Sequence, residues 1–291
     1  MNVLVTGANG QLGREIRRVA KGSPYHFVFA DISSLPGEET VYLDITNKDA
    51  VSLICKSEDI GVIINCAGYT DVERAESDLP MATLLNASAP GYLAGAALER
   101  DALLVHISTD FLFGGESSVP YPEDYPPHPL NAYGATKLAG EKAVAESGCR
   151  CVILRTAWLY SPYGKNFVKT MHRLTGVMDT LKVVCDQVGS PTYAADLAGF
   201  ILGSVLPRND SVSGIFNYSG EGTASWYDFA KAVADISGHD KCRIIPCLSG
   251  DYPSKAVRPH YSVLDKSKVK NTFGVTVPYW RDSLKECMER L

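Results

Sequence analysis

"NVLVTGANGQLGREIRRVAKG", Asn2 to Gly22, is the stretch on which the fold turns. It opens on an apolar run of strand length and continues into a helix-forming segment that Gly22 closes. Gly7, Gly10 and Gly13 fall right after the strand and at the mouth of the helix, with Gln11 and Leu12 among them. Glycines there permit a tight turn and let a pyrophosphate approach backbone N–H groups at the positive end of a helix. A glycine triplet alone also makes an ordinary turn. The strand before it and the helix after it supply the context that a dinucleotide site requires.

Outward from this stretch the first half alternates β and α signals. "YHFVFAD" and "GVIINCAG" read as strands, "LPMATLLNASAPGYLAGAALERD" as a helix of small residues packed on a sheet, and "ALLVHIS" as a strand. "AYGATKLAGEKAVAESG" is then a helix and "CRCVILRTAWLY" a strand. Strands this apolar are buried on both faces, the mark of a parallel sheet flanked by helices. The expected fold class is α/β, a Rossmann-type doubly wound parallel sheet. After Tyr160 the rhythm loosens into turn-rich pieces such as "YSPYGKN" and "DQVGSPTY". We therefore expect a dinucleotide-binding domain over residues 1–160. Residues 161–291 are expected to form a smaller, interleaved substrate lobe, with some segments returning to the sheet.

Composition bounds the reading. The 291 residues are 45% hydrophobic and 21% charged, which suits a globular chain with a substantial core. No run approaches the roughly 18 apolar residues of a membrane span, and Met1 leads straight into the first strand without a charged segment and cleavage site. A cytoplasmic protein without membrane partners is expected. The net charge of −5 argues against nucleic acid as a partner, while leaving room for a local basic pocket for a phosphorylated small molecule. Eight cysteines show neither C-x-x-C nor zinc-ligand spacing, so most are expected to be buried, reduced core thiols, and no metal site is expected from them.

Several strand ends carry chemistry. Asp31 closes "HFVFAD", where an acid accepts hydrogen bonds from adenosine ribose hydroxyls and repels a 2′-phosphate, so NADH is expected over NADPH. Asp44 and Ile45 in "DITNKDA" suit a loop over adenine, and "NCAGYT" puts small residues, Ala67 and Gly68, with Tyr69, where a cofactor approaches closely. "VHISTDFLFGG" brings Thr109 and Asp110 to the carboxyl edge of the sheet, where doubly wound folds bind ligands. Next comes "NAYGATK", with Tyr133 and Lys137 one helical turn apart on one face. With 15 Tyr and 15 Lys among 291 residues, composition supplies roughly one Tyr-x-x-x-Lys match by chance. A second match, Tyr227 and Lys231, lacks the upstream Thr and the sheet edge and reads as an ordinary amphipathic helix.

The chemistry has a physical logic. A tyrosine acting as an acid near neutrality needs its pKa of about 10 lowered by roughly 3 units, about 4 kcal/mol. A cation 4 Å away supplies about 1 kcal/mol in water and about 4 kcal/mol at an effective dielectric near 20. Lys137 can tune Tyr133 only in a partly dehydrated site, helped by the positive ring of an oxidised nicotinamide.

A glycine-rich turn, a strand-end hydroxyl and Tyr-x-x-x-Lys resemble the extended short-chain dehydrogenase/reductase family. "TDVERAE", "STDFLF", "NAYGATKLAGE", "RTAWLY", "NFVKTM", "DQVGSPTYAADLA" and "RPHYSVLD", in this order, narrow the resemblance to its dTDP-4-dehydrorhamnose reductase branch over nearly the whole chain. The resemblance implies reduction of a nucleotide-sugar C4 ketone with NADH or NADPH. By the same resemblance Tyr133 is the proton donor, Lys137 holds the nicotinamide ribose, Thr109 binds the carbonyl oxygen, Asp110 contacts the sugar and Trp158 packs on it. Arg258 is the candidate for the substrate diphosphate, since a guanidinium fork suits phosphate oxygens. A homodimer, sometimes with Mg²⁺ near an acid such as Glu15, is also implied. Tyr261, Phe111 and the pair Gly114 and Gly115 depart from the family pattern, which bears on the exact sugar. Asp110 is followed by Phe111 rather than Glu, against a dehydratase. The alternatives are a reductase or epimerase on another nucleotide 4-keto sugar, and a non-catalytic subunit like the regulatory one of methionine adenosyltransferase. Retention of Thr109, Tyr133 and Lys137 together favours an enzyme.

Overall fold

The apolar runs of the first half become central strands because neither of their faces meets water. The computed structural model describes residues 1–291. Through the first half the elements are β1 (Asn2–Thr6), α1 (Gln11–Val19), β2 (His26–Asp31), β3 (Val41–Tyr42), α2 (Lys48–Ser57), β4 (Ile60–Asn65), α3 (Val72–Ala75), α4 (Leu79–Thr83), α5 (Ala89–Glu99), β5 (Leu103–Thr109), α6 (Ala132–Ala145) and β6 (Cys151–Thr156). Then follow β7 (Leu159–Tyr160), α7 (Phe167–Thr175), β8 (Thr180–Val184), β9 (Val188–Gly189), β10 (Thr192–Tyr193), α8 (Ala194–Phe200), β11 (Gly214–Asn217), β12 (Ala224–Ser225), α9 (Trp226–Ile236), β13 (Arg243–Cys247), α10 (Ser267–Phe273) and α11 (Trp280–Met288).

Seven strands pair in parallel in the order β11-β6-β5-β4-β1-β2-β3, the Rossmann-type doubly wound sheet. The order reverses between β1 and β4, and at such a switch point a crevice opens beyond the carboxyl ends of the strands. Val3, Val5, Val62 and Ile64 pack into one core cluster, while Leu4, Ile63, Leu104 and Ile153 pack into another on the opposite face. That two-sided burial is why the strands read as continuous apolar runs.

A third cluster, with Val168, Leu181, Phe229, Val233, Ile244 and Leu284, joins α7, β8, α9, β13 and α11. Leu197 and Ile201, Phe216, Val269 and Phe273 return to the core of the large sheet. No helix is long and apolar enough to cross a membrane.

Two sequence expectations need correction. "CRCVILRTAWLY" is not one strand, because the chain turns at Trp158, whose φ of 48° lies in the left-handed region, before β7 begins. All eight cysteines are free, but only Cys55, Cys242 and Cys287 are buried; the other five are half-buried near element ends.

α6 is fixed tightly to its neighbours. A Cβ on Gly140 would lie 2.0 Å from the Asn86 carbonyl oxygen, and one on Gly134 would lie 2.2 Å from that of Phe111. Glycine there permits contact at backbone distance. On the sheet side, Arg155 of β6 forms a two-pronged ion pair with Glu141, Nε to Oε1 at 3.0 Å and Nη2 to Oε2 at 2.8 Å. The Asn131 side chain caps the helix start by accepting from Gly134 N–H at 2.8 Å.

Candidate active site

The crevice at the switch point is a cavity of about 960 Å³, at the upper end for small-molecule sites. Its lining includes Gly7, Gly10, Gln11, Leu12, Asp31, Asp44 and Ile45. Gly7 has a φ of 63°, and a Cβ on it would meet Ala67 N at 2.6 Å, so the turn requires glycine on two counts. Gly13 lies outside the lining and packs helix against turn: its Cβ would stand 2.4 Å from the Gly7 carbonyl oxygen. Gln11 Oε1 accepts from Asn166 Nδ2 at 2.8 Å and Ser161 Oγ at 3.2 Å, drawing the 161–166 loop toward the turn. Asp31 accepts from Asn9 N–H at 3.0 Å on one oxygen and from Ser33 N–H at 3.0 Å and Oγ at 2.8 Å on the other. Asp44 accepts from Thr46, and Ile45 is buried beneath the loop.

Ala67, Gly68 and Tyr69 reach the same cavity. Asn86 organises them. Its Oδ1 accepts from Tyr69 N–H at 2.8 Å, while its Nδ2 donates to the Tyr69 carbonyl at 3.0 Å and to Thr136 Oγ1 at 3.2 Å. Asn86 thus ties this loop to α6. It lies in a π-helical turn, Leu84–Ser88, which sequence periodicity alone does not flag.

Thr109 and Asp110 from the end of β5 meet Tyr133 and Lys137 from α6 in this cavity. Lys137 is buried, and its Nζ donates to the Ile107 carbonyl at 2.5 Å. Burial lowers its pKa to about 8, with Glu141 one turn on pulling the other way. Burial raises the Tyr133 phenol to about 12; Thr109 acts to lower it, and the charge of Asp110 to raise it. The phenol ring meets Phe111 edge-on, with centroids 5.8 Å apart. Burial also pushes Asp110 up to about 7, against hydrogen bonds from Ser262, Thr109 and the backbone.

The end of the cavity that Trp158 lines is aromatic. Trp158 stacks on Trp226 at 3.5 Å and 4°, with Phe167 and Phe229 beside them. A Cβ on Gly189 would lie 2.5 Å from the Trp158 ring, so the indole sits close over that strand. Trp226 opens α9, the helix whose Tyr227 and Lys231 lie outside the cavity lining. Sequence reading missed Trp226 because one tryptophan after a capping box looks like any core aromatic. Arg258 reaches the cavity and pairs with Glu73 at 2.6 Å. Burial works to raise the Glu73 carboxyl, but donors from Ser254, Lys255 and Arg258 hold it down at about 2.

Glu15 does not fit a divalent cation. It is fully buried, with Arg18 Nε at 2.8 Å and Arg290 Nη1 at 2.9 Å already neutralising it. No group of three or more His, Cys, Asp or Glu is placed to hold a metal ion.

A dinucleotide crevice that ends on a hydroxyl, a phenol and an ammonium belongs to a nicotinamide-dependent oxidoreductase of the short-chain dehydrogenase/reductase class. The family model described as RmlD substrate binding domain matches residues 1–291, and the chain belongs to that family. A dTDP-4-dehydrorhamnose reductase of Aggregatibacter actinomycetemcomitans is 38% identical, covering 97% of each chain. A Streptomyces antibioticus relative, named probable dTDP-4,6-dihydroxy-2-methyloxan-3-one 4-ketoreductase, is 39% identical over 98% of this chain and 94% of its own. Among solved structures, a dTDP-4-dehydrorhamnose reductase from Clostridium acetobutylicum ATCC 824 matches with a TM-score of 0.92 at 41% identity over 99% of both chains. Another from Bacillus anthracis str. Ames, in complex with NADP, matches with 0.89 at 35% identity, covering 99% of this chain and 98% of that one.

Proposed function

We propose that this chain reduces the C4 ketone of dTDP-6-deoxy-L-lyxo-4-hexulose to dTDP-L-rhamnose. The observation that carries the reading is the meeting of Thr109, Tyr133 and Lys137 in one cavity with the glycine turn and Trp158. The bound dinucleotide supplies a hydride from nicotinamide C4 to the sugar C4. Every other task falls to side chains of this chain. Thr109 donates a hydrogen bond to the carbonyl oxygen, and Tyr133 delivers a proton to that oxygen as it becomes a hydroxyl. A phenol kept protonated by burial suits the donor role in the reducing direction. Lys137 holds the nicotinamide ribose and, with the positive charge of the oxidised ring, draws the phenol pKa back down in a water-poor site.

Gly7, Gly10, Gln11, Leu12 and Gly13 form the pyrophosphate turn, Asp44 and Ile45 cover adenine, and Ala67, Gly68 and Tyr69 line the path toward nicotinamide. Asp110 and Trp158 contact the sugar, and Arg258 meets the diphosphate. Asp31 favours NADH over NADPH, because a 2′-phosphate would approach its carboxylate. A kcat/KM for NADPH well above that for NADH would reject this preference.

The test is loss of reduced-nicotinamide absorbance with the dTDP-4-keto sugar, NADH and NADPH in parallel, for wild type and Tyr133→Phe. Turnover by wild type with at least a hundredfold drop in the variant supports the reading. A folded protein that binds dinucleotide yet turns over nothing would point to a different keto sugar or to a binding subunit. The Streptomyces antibioticus relative gives the first of these a specific basis, since a similar chain carries the name of a different 4-ketoreductase. A panel of dTDP-4-keto sugars decides it by comparison of kcat/KM.

A further inference from the structure

Ser262 stands outside every motif role given above, yet its hydroxyl is among the most closely held groups near the reacting centre. It donates to Asp110 Oδ2 at 2.5 Å, and both residues are 2% exposed. Its backbone is fixed independently, because Ser262 N–H donates to the Val188 carbonyl at 2.9 Å. The other carboxylate oxygen, Asp110 Oδ1, accepts from Thr109 Oγ1 at 3.2 Å. Thr109 in turn accepts from Phe111 N–H at 3.2 Å and lies against the Tyr133 phenol.

Counting protons turns this geometry into a function. A threonine hydroxyl has one proton to donate. Thr109 gives that proton to Asp110; to bind a substrate carbonyl, it must withdraw it. How readily it does so depends on how well Asp110 is satisfied without it. Ser262 makes the short bond and Thr109 the long one, so the carboxylate is satisfied chiefly through Oδ2. Without the Ser262 hydroxyl, Thr109 would be the remaining side-chain donor to a buried carboxylate, which holds its donors strongly.

We propose that Ser262 is a positioning residue for the reduction: by satisfying Asp110, it leaves the hydroxyl proton of Thr109 available to the substrate carbonyl. The inference rests on the reading of Thr109 as the carbonyl donor.

The test uses the full chain with NADH and the dTDP-4-keto sugar at about pH 8, above the value of about 7 to which burial pushes Asp110, so that the carboxylate is ionised. Ser262→Ala should lower kcat at least tenfold while KM for NADH stays within twofold, and Ser262→Thr should restore kcat to within threefold of wild type. In an Asp110→Asn background, where no charge remains to hold the Thr109 proton, Ser262→Ala should change kcat less than twofold further. If the alanine variant does not fold, the isosteric pair Ser262→Thr and Ser262→Val supplies the same contrast. A kcat within twofold of wild type for the hydroxyl-free variant overturns the proposal, as does a full tenfold loss in the Asp110→Asn background. Thr109→Val separates the two levels. If it retains turnover, the reading of Thr109 fails; if it abolishes turnover while Ser262→Ala does not, only the role of Ser262 fails.

Discussion

Glu141→Gln probes how the helix bearing Tyr133 and Lys137 is held, and what keeps Lys137 charged. The Glu141 and Arg155 side chains are each 4% exposed and meet through three N–H···O contacts. Removing the carboxylate charge leaves a guanidinium buried without its counter-charge. Breaking one side of such a pair costs about 3–5 kcal/mol. The glutamine amide keeps one acceptor, which places the cost toward 3 kcal/mol. At roughly 3 °C per kcal/mol for a chain of this size, Tm should fall by about 10 °C. A second consequence is catalytic. Glu141 is the charge that opposes burial in setting the Lys137 pKa of about 8. Without it the ammonium deprotonates at lower pH, so the alkaline limb of kcat/KM, expected near pH 8 in wild type, should move downward. Calorimetry and a pH profile of kcat/KM at constant ionic strength measure the two effects. The double replacement Glu141→Leu with Arg155→Met should recover much of the stability, since an apolar pair can replace a buried ion pair at little cost. It should not return the alkaline limb. A Tm drop under 2 °C with an unmoved limb would refute both halves of the argument.

Three further outcomes are expected. Gly140→Ala should yield little folded protein, because its Cβ would stand 2.0 Å from a backbone oxygen and neither helix can yield; near wild-type Tm would show that α6 moves. Trp226→Ala removes the partner of the Trp158 stack, worth about 0.5–1.5 kcal/mol beyond area burial. It should raise KM for the nucleotide sugar roughly three- to tenfold, with KM for NADH unchanged, as steady-state kinetics would read. Tyr227→Phe should leave turnover unchanged, and a loss above tenfold would contradict its place outside the cavity.

Five of the seven sheet strands, β1, β2, β4, β5 and β6, were legible because burial imposes a pattern that chain order preserves: each is a short apolar run closed by small or polar residues, whereas the edge strands β3 and β11 carry no such run. The glycine turn and the Tyr133 and Lys137 pair were legible for the same reason, since strand-to-turn-to-helix and one helical turn are local geometries. The single residue Trp158 shows where this stops. Sequence placed it in a strand, whereas packing against Trp226 and Gly189 accompanies a left-handed backbone that no local pattern announces.

Contacts between distant segments belong to the tertiary structure alone. Asp110 is reached by Ser262 from 152 positions away, Arg258 is met by Glu73, and Glu15, an implied metal site, is closed by Arg290 from the last turn of the chain. The sequence by itself determined the class of fold and the residue types that carry the chemistry, because periodicity and turn geometry act over a few residues. Which protons those residues share, and which charges they face, was decided by the folded chain, because partners brought within 3 Å from distant parts of the chain leave no trace in sequence spacing.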